Sequence, residues 1–377
     1  MNLSEEEAVQ YQRHLSLSGF GPEAQAKLRK SSVLVVGAGG LGCPALQYLV
    51  AAGVGRIGIV DDDNVEASNL QRQVLYTHED IGQPKARVAA RRLSRLNPYV
   101  EILPHEERLT SENVRDRLEG FDMVLDGTDS FASRYLINDA CVLLGKILVY
   151  GAIHQFEGQV SVFNMDGGPT YRCLFPEPPP PGTVPNCADM GVLGVLPGII
   201  GSMQALEAIK VASGVGEVLS GKVLLYDALG NVTSTLALSR NPNGPEITDL
   251  PEEENSCGQS EAPATSVIMG IMPVKLERMM KENPELLLLD VRENWERELS
   301  RIEPSFHCPL GEFSSPGGPS LPEEFKPGRE IAVYCKVGVR SRAACEVLEA
   351  MGYGKLYNLE GGMMSWAEDV GLSSTMG

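Results

Sequence analysis

The apolar run VLVVG (33–37) opens into Gly37, Gly39 and Gly42, and this spacing constrains the fold more than any other feature of the chain. A continuous apolar strand that breaks into G-x-G-x-x-G and enters a helix, here from about Leu41 to Ala52, must have both its faces covered. The next strand, RIGIVD, ends at Asp61, 19 residues past Gly42. Missing side chains let the backbone approach a phosphate or ribose, and a carboxylate at the second strand's end suits ribose hydroxyls. Taken alone, the pattern fits an NAD or FAD dehydrogenase.

The alternation continues along the chain. Residues 84–96 have the Ala, Arg and Leu content of a helix, and DMVLDGTD (122–129) is a strand followed by another helix. LVYGAI (148–153), QVSVFN (159–164) and VLLYDA (223–228) read as further strands. Such alternation implies a mostly parallel sheet with helices on both faces. FPEPPPPGTVP (175–185) is a proline-rich loop, unable to form helix or inner strand. The α/β pattern restarts at LLLLDV (286–291) and IAVYC (331–335), with a helix near 341–351. The expected architecture is α/β: a Rossmann-like nucleotide-binding domain over 1–240, an acidic flexible linker over 241–265, and a smaller α/β domain over 266–377.

Charge and composition exclude several classes. Residues 241–261 hold six acids and no Lys or Arg, one third of the formal net charge of −18. A chain this acidic does not suit a nucleic-acid partner. The best apolar run, Met190 to Met203, is shorter than the roughly 18–20 residues a bilayer needs and contains Pro197. The acidic start MNLSEEEAVQ resembles neither a secretory signal nor a transit peptide, so the expected location is the cytoplasm, with no membrane. Eight cysteines without an export signal read as reactive or buried thiols, not a disulfide framework.

Beyond the glycines stand Ser68-Asn69-Leu70-Gln71-Arg72-Gln73 and then Lys85. Hydride transfer needs few cations, whereas a triphosphate losing pyrophosphate needs several around its oxygens. Arg72 and Lys85 suit that role, with Arg13 a third candidate, and Asp129 could hold Mg²⁺ against the phosphates. The segments RHLSLSGFG, VGAGGLGCPALQYL, SNLQRQVLY, IGQPKA, RYLINDAC and FEGQVSVF, within residues 8–240, resemble the MoeB/ThiF family, relatives of ubiquitin-activating enzymes. The resemblance implies ATP-dependent adenylation of the C-terminal glycine of a small ubiquitin-fold sulfur-carrier protein ending in Gly-Gly. It implies nucleotide contacts by Gly40, Asp61, Asn69, Arg72 and Lys85, and makes Asp129 the Mg²⁺-linked catalytic carboxylate. Arg13 would reach the phosphates from the N-terminal segment, often across a dimer interface, so a homodimer is expected. The family's usual Asp-Asn pair is Asp129-Ser130 here.

Two cysteines stand out. Cys187, in PNCADMGVLG, precedes an apolar helix whose dipole favours a thiolate, and it matches the family's mobile-loop cysteine, which forms a thioester or resolves a disulfide. Cys335 ends a strand in CKVGVRS, where inward-pointing loop N–H groups can form an anion nest and Arg340 brings a fixed charge. Four residues separate Cys335 from Arg340, one fewer than in tyrosine-phosphatase loops, and the tighter loop suits a sulfane sulfur. With LLLLDVRENWE upstream and EGGMMSWAE downstream, residues 265–370 resemble the rhodanese family, which implies Cys335 as persulfide carrier, Arg340 as its helper, and Asp290 and Arg292 as structural. MoeB/ThiF relatives usually carry zinc on two C-x-x-C pairs. Only Cys173 survives at those positions, Cys257 lacks the spacing, and no structural zinc is expected.

The expected reaction is adenylation followed by sulfur transfer from a Cys335 persulfide to give a C-terminal thiocarboxylate, with thiosulfate or a cysteine desulfurase persulfide as sulfur donor. Two alternatives stay open: a nicotinamide oxidoreductase, and modifier activation through a thioester on Cys187.

Overall fold

The computed structural model describes residues 3–178, 191–242, 247–250, 268–313 and 318–371, which form two compact units, the described residues up to 250 making the first and those from 268 the second. The first is built on one eight-stranded sheet. Its strands are β1 (Ser32–Val36), β2 (Arg56–Val60), β3 (Glu101–His105), β4 (Met123–Asp126), β5 (Ile147–His154), β6 (Glu157–Phe163), β7 (Lys222–Asp227) and β8 (Val232–Ala237). They lie in the order β3-β2-β1-β4-β5-β6-β7-β8.

The strands from β3 through β5 are parallel, and the remaining pairings, β5–β6, β6–β7 and β7–β8, are antiparallel. The expected mostly parallel sheet therefore describes only its first five strands. Beyond them the chain turns back through a two-residue hairpin, Gln155-Phe156, where Gln155 takes φ +50°.

In β1, successive side chains go to opposite faces: Val33 and Val35 to one core, Leu34 to the other. The first core is closed by the helices Gly42–Ala52 and Lys85–Leu96, the second by the helices Val114–Glu119 and Phe131–Leu144. The chain leaves β1 toward β2 on one side and returns in β4 on the other. The crevice at their carboxyl ends is the topological switch point where ligands bind in such sheets.

Helix Val195–Ser213 is long and apolar enough, by length and composition alone, to cross a membrane, although its sequence run is interrupted by Pro197. Here it is a packing helix. Leu196 and Ile200 are buried beneath the sheet's antiparallel half, Glu207 accepts from the Leu219 N–H at 2.8 Å, and Gln204 Nε2 donates to Asp126 O at 2.7 Å.

The second unit carries a five-stranded, wholly parallel sheet in the order β11-β10-β12-β13-β9: β9 (Ile268–Ile271), β10 (Leu287–Asp290), β11 (Phe306–His307), β12 (Ile331–Tyr334) and β13 (Leu356–Leu359). LLLLDV supplies both faces at once, Leu287 and Leu289 to one core and Leu288 to the other. Helix Val339–Ala350 covers the first face, and helices Pro273–Glu282 and Gly362–Asp369 cover the second. Cys335 follows β12 directly, at the carboxyl edge of the sheet.

Candidate functional site

In the first unit, two turns meet backbone to backbone. Gly37 has φ +90°, and a Cβ there would lie 2.8 Å from Gly127 O. A Cβ on Gly42 would lie 1.8 Å from Gly37 O. Only glycine allows this approach, which seats the 37–42 turn on the loop after β4 that carries Asp129. Gly39 has room, since the nearest atom to its notional Cβ is Gln73 Nε2 at 3.6 Å. Gly40 borders Pro197 and lies near Arg72, whose Cδ would be 3.6 Å from a Cβ there. Helix Gly42–Ala52 begins at this turn, so its positive dipole end faces the crevice, while the Cys43 and Ala45 N–H groups bond to the Gly39 and Leu41 carbonyls.

Asp61 braces the turn by accepting from the Ala38 N–H at 2.7 Å. Burial pushes its carboxyl above the ordinary range, with the nearby Lys85 charge pulling the other way. Lys85 is 5% exposed and its Nζ lies 2.7 Å from Asp63 Oδ2. Asn69 is buried and accepts the Glu66 N–H, while its carbonyl receives the N–H groups of Arg72 and Gln73. Gly40, Asp61, Asn69, Arg72, Lys85 and Asp129 thus gather at the carboxyl end of β1, β2 and β4. Ser130, standing where the family has Asn, caps helix Phe131–Leu144 by accepting from the Ser133 N–H at 3.1 Å.

Arg13 is not brought to this place within one chain. It is exposed on helix Gln12–Leu15, and neighbouring Tyr11 packs on Gly53, at the far end of helix Gly42–Ala52. An 11-residue helix separates that end from the turn by about 16 Å.

Two residues escaped the sequence reading. Tyr76 OH donates to Ala38 O at 2.8 Å and holds the turn from below. Asp126, 1% exposed, accepts from the N–H and the hydroxyl of Thr128 at 2.9 and 2.6 Å and so shapes the Asp129 loop. Burial raises its pKa, and its Oδ2 accepts no hydrogen bond. The paired acids of DGTD at a strand end were the available signal.

In the second unit, Cys335 is fully buried. Its Sγ accepts from the Gly338 N–H at 3.1 Å and lies 3.4 Å from Ser341 Oγ. Gly338 takes φ +98° to turn the loop, and Met363 N–H holds the Cys335 carbonyl at 2.8 Å. The Arg340 guanidinium makes a two-pronged pair with Glu296: Nη1 to Oε2 at 2.7 Å and Nη2 to Oε1 at 2.8 Å, both residues buried. That places its terminal nitrogens on a carboxylate of helix Asn294–Leu299. Asp290 and Arg292 form a buried bidentate pair, in keeping with a structural role.

Cys187 and Cys257 lie outside the described residues. Cys173 Sγ accepts from the N–H groups of Thr170 and Asn241, each at 3.4 Å, and these contacts help hold its thiol below the ordinary range against the cost of burial. Among the described residues, no three His, Cys, Asp or Glu side chains cluster as metal ligands.

The ThiF family model matches residues 11–246, well over half the chain, and the rhodanese-like domain model matches residues 272–369. The chain belongs to the ThiF family. It is 43% identical over 375 residues to the probable adenylyltransferase/sulfurtransferase MoeZ of Mycobacterium tuberculosis, covering 98% of this chain and 95% of that one. Mouse adenylyltransferase and sulfurtransferase MOCS3 is 40% identical over 399 residues, covering 98% and 87%. The sulfur carrier protein adenylyltransferase of Thermus thermophilus is 55% identical over 258 residues, 67% of this chain and 95% of that one. A crystal structure of E. coli MccB superposes with TM-score 0.58 at 19% identity, covering 67% and 75%, a likeness of fold alone. A ThiF unit joined to a rhodanese-like unit is thus shared with relatives matched along nearly their whole length, and neither the oxidoreductase nor the thioester alternative is favoured by their names.

Proposed function

We propose that this ThiF-family enzyme adenylates the C-terminal glycine of a small ubiquitin-fold sulfur carrier and then replaces the activated oxygen with sulfur carried on Cys335. The observation that supports it most is the backbone contact between the 37–42 turn and the Asp129 loop, which holds a glycine-rich turn beside a carboxylate. The donor set fits ATP and Mg²⁺: an open Gly39, the cations Arg72 and Lys85, Asp61 for the ribose, and Asp129 exposed on its loop. Mg²⁺ bound through Asp129 would screen the phosphate charge.

The carrier's carboxylate attacks the α-phosphorus, pyrophosphate leaves, and an acyl adenylate forms. Arg72 and Lys85 oppose the charge on the phosphate oxygens, and Arg13 joins them from a second copy of the chain. In the other unit, the Cys335 thiolate attacks the outer sulfur of thiosulfate, an S–S bond forms, and sulfite departs with the electron pair. The persulfide then attacks the acyl carbon and AMP leaves. A thiol, Cys187 or a small-molecule one, attacks Cys335 Sγ and releases the thiocarboxylate. A further thiol reduces the disulfide left behind. A cytoplasmic homodimer is part of this reading, as are domain limits of 1–240, 241–265 and 266–377.

Mass spectrometry of Gly-Gly-ended carriers after incubation with the enzyme, ATP and thiosulfate tests the reaction. The expected product is heavier than its parent by the difference between sulfur and oxygen. Carriers that release AMP but never gain that mass would sink the second half of the proposal.

The enzyme is also proposed to fold without zinc. Three of the four family ligand positions are Thr170, Gly244 and Ile247, none of which binds zinc by its side chain, and Cys173 already receives backbone donors. Elemental analysis of the purified chain should find zinc far below one atom per chain; a stoichiometric ion would overturn this.

A further inference from the structure

The loop after β12 contains a second group aimed at the sulfur. Ser341, completely buried in the first turn of helix Val339–Ala350, has its Oγ 3.4 Å from Cys335 Sγ and 3.0 Å from Gly338 O. A hydroxyl has one proton, so it donates to one of these acceptors at a time. When sulfur is a neutral thiol, the carbonyl oxygen is the better acceptor. When sulfur is an anion, the charge-assisted bond wins and the proton turns toward it. Cys335 is fully buried, so solvation of that anion falls to the protein. Gly338 N–H supplies one donor at 3.1 Å. Lys336, the next residue, is exposed, and Arg340 has both terminal nitrogens on Glu296.

We propose that Ser341 is a catalytic residue of the sulfur-transfer step, whose hydroxyl rotates from Gly338 O to the Cys335 sulfur as charge appears there, while Arg340 acts through Glu296 to position the start of the helix. The inference rests on the reading of Cys335 as the sulfur carrier. The step is the one that converts Cys335 thiolate and thiosulfate into persulfide and sulfite. The same hydroxyl then serves the reverse change of charge, when cyanide takes the outer sulfur as thiocyanate and returns the thiolate.

The test is steady-state thiocyanate formation from thiosulfate and cyanide by the full-length enzyme, with intact-mass measurement of the persulfide fraction. Ser341→Ala should lower the rate about tenfold or more, the scale of one hydrogen bond to a charged group, and reduce persulfide accumulation. Alanine is the better helix former, so the variant keeps its helix. Ser341→Thr, which retains the hydroxyl, should recover most of the rate. ATP–pyrophosphate exchange should be unchanged in both. An alanine variant as fast as the parent, or a threonine variant as slow as the alanine one, overturns the proposal. Cys335→Ala in the same assay separates the two levels: residual turnover there would overturn the carrier reading itself, whereas a dead Cys335→Ala beside an active Ser341→Ala would overturn only the role of Ser341.

Discussion

Cys335→Ala should lower thiocarboxylate formation by about a thousandfold or more, the order expected when a covalent nucleophile is removed, and leave ATP–pyrophosphate exchange at the parent rate. The asymmetry follows from where the residue sits. Cys335 belongs to a core made only of second-unit residues, among them Val291, Val333, Ala344 and Leu356. The cores around the 37–42 turn share no member with it. Removing one buried sulfur costs about 1 kcal/mol, similar to deleting a buried methyl group, and the site can keep its shape. Chemistry is lost because no other atom at that position can accept the sulfane sulfur. The checks are mass spectrometry of the carrier and exchange of labelled pyrophosphate into ATP, run on one preparation. If exchange falls together with sulfur transfer in a well-folded variant, the division of labour between the units is wrong.

Much of this was legible in the sequence because the signals are local. VLVVG, RIGIVD and LLLLDV are strands buried on both faces, and such strands show as unbroken apolar runs. Two strands that the sequence did not announce, β3 and β8, lack that signature. β3 contains Pro104 and is tolerated as a strand because it is the sheet's edge. β8, VTSTLA, is exposed along its whole length. The antiparallel direction of the β5–β6 hairpin is not legible beforehand, because strand direction leaves no local trace in composition. Site residues divide the same way. Gly37, Gly42, Asp61 and Cys335 carry fixed spacings, whereas Glu296 lies 44 residues before Arg340 and their pairing becomes visible only once β10 and β12 are adjacent. Tyr76 and Ala38 meet across 38 residues in the same fashion.

Gly42→Ala should slow the other half-reaction, adenylation, by roughly a hundredfold and spare the first. The added methyl would stand 1.8 Å from Gly37 O, a backbone atom with no rotamer to escape into. Gly37 in turn touches Gly127, so the displacement passes to the loop carrying Asp129 and opens the cradle on both sides. Overpacking of this kind costs about 1–3 kcal/mol, and the local distortion of the 37–42 turn should lower pyrophosphate exchange by roughly a hundredfold. Thiocyanate formation from thiosulfate and cyanide should stay at the parent rate. Gly39→Ala is the informative partner. Its methyl meets nothing nearer than 3.6 Å, so the unit should unfold at the parent temperature, yet the methyl projects where a phosphate or ribose approaches and should raise the KM for ATP. Thermal denaturation alongside exchange kinetics separates the pair: Gly42→Ala loses stability and rate together, Gly39→Ala loses ATP affinity alone. A Gly39→Ala enzyme with unaltered KM would mean that ATP does not lie against this turn, and the adenylation site would have to be sought elsewhere in the unit.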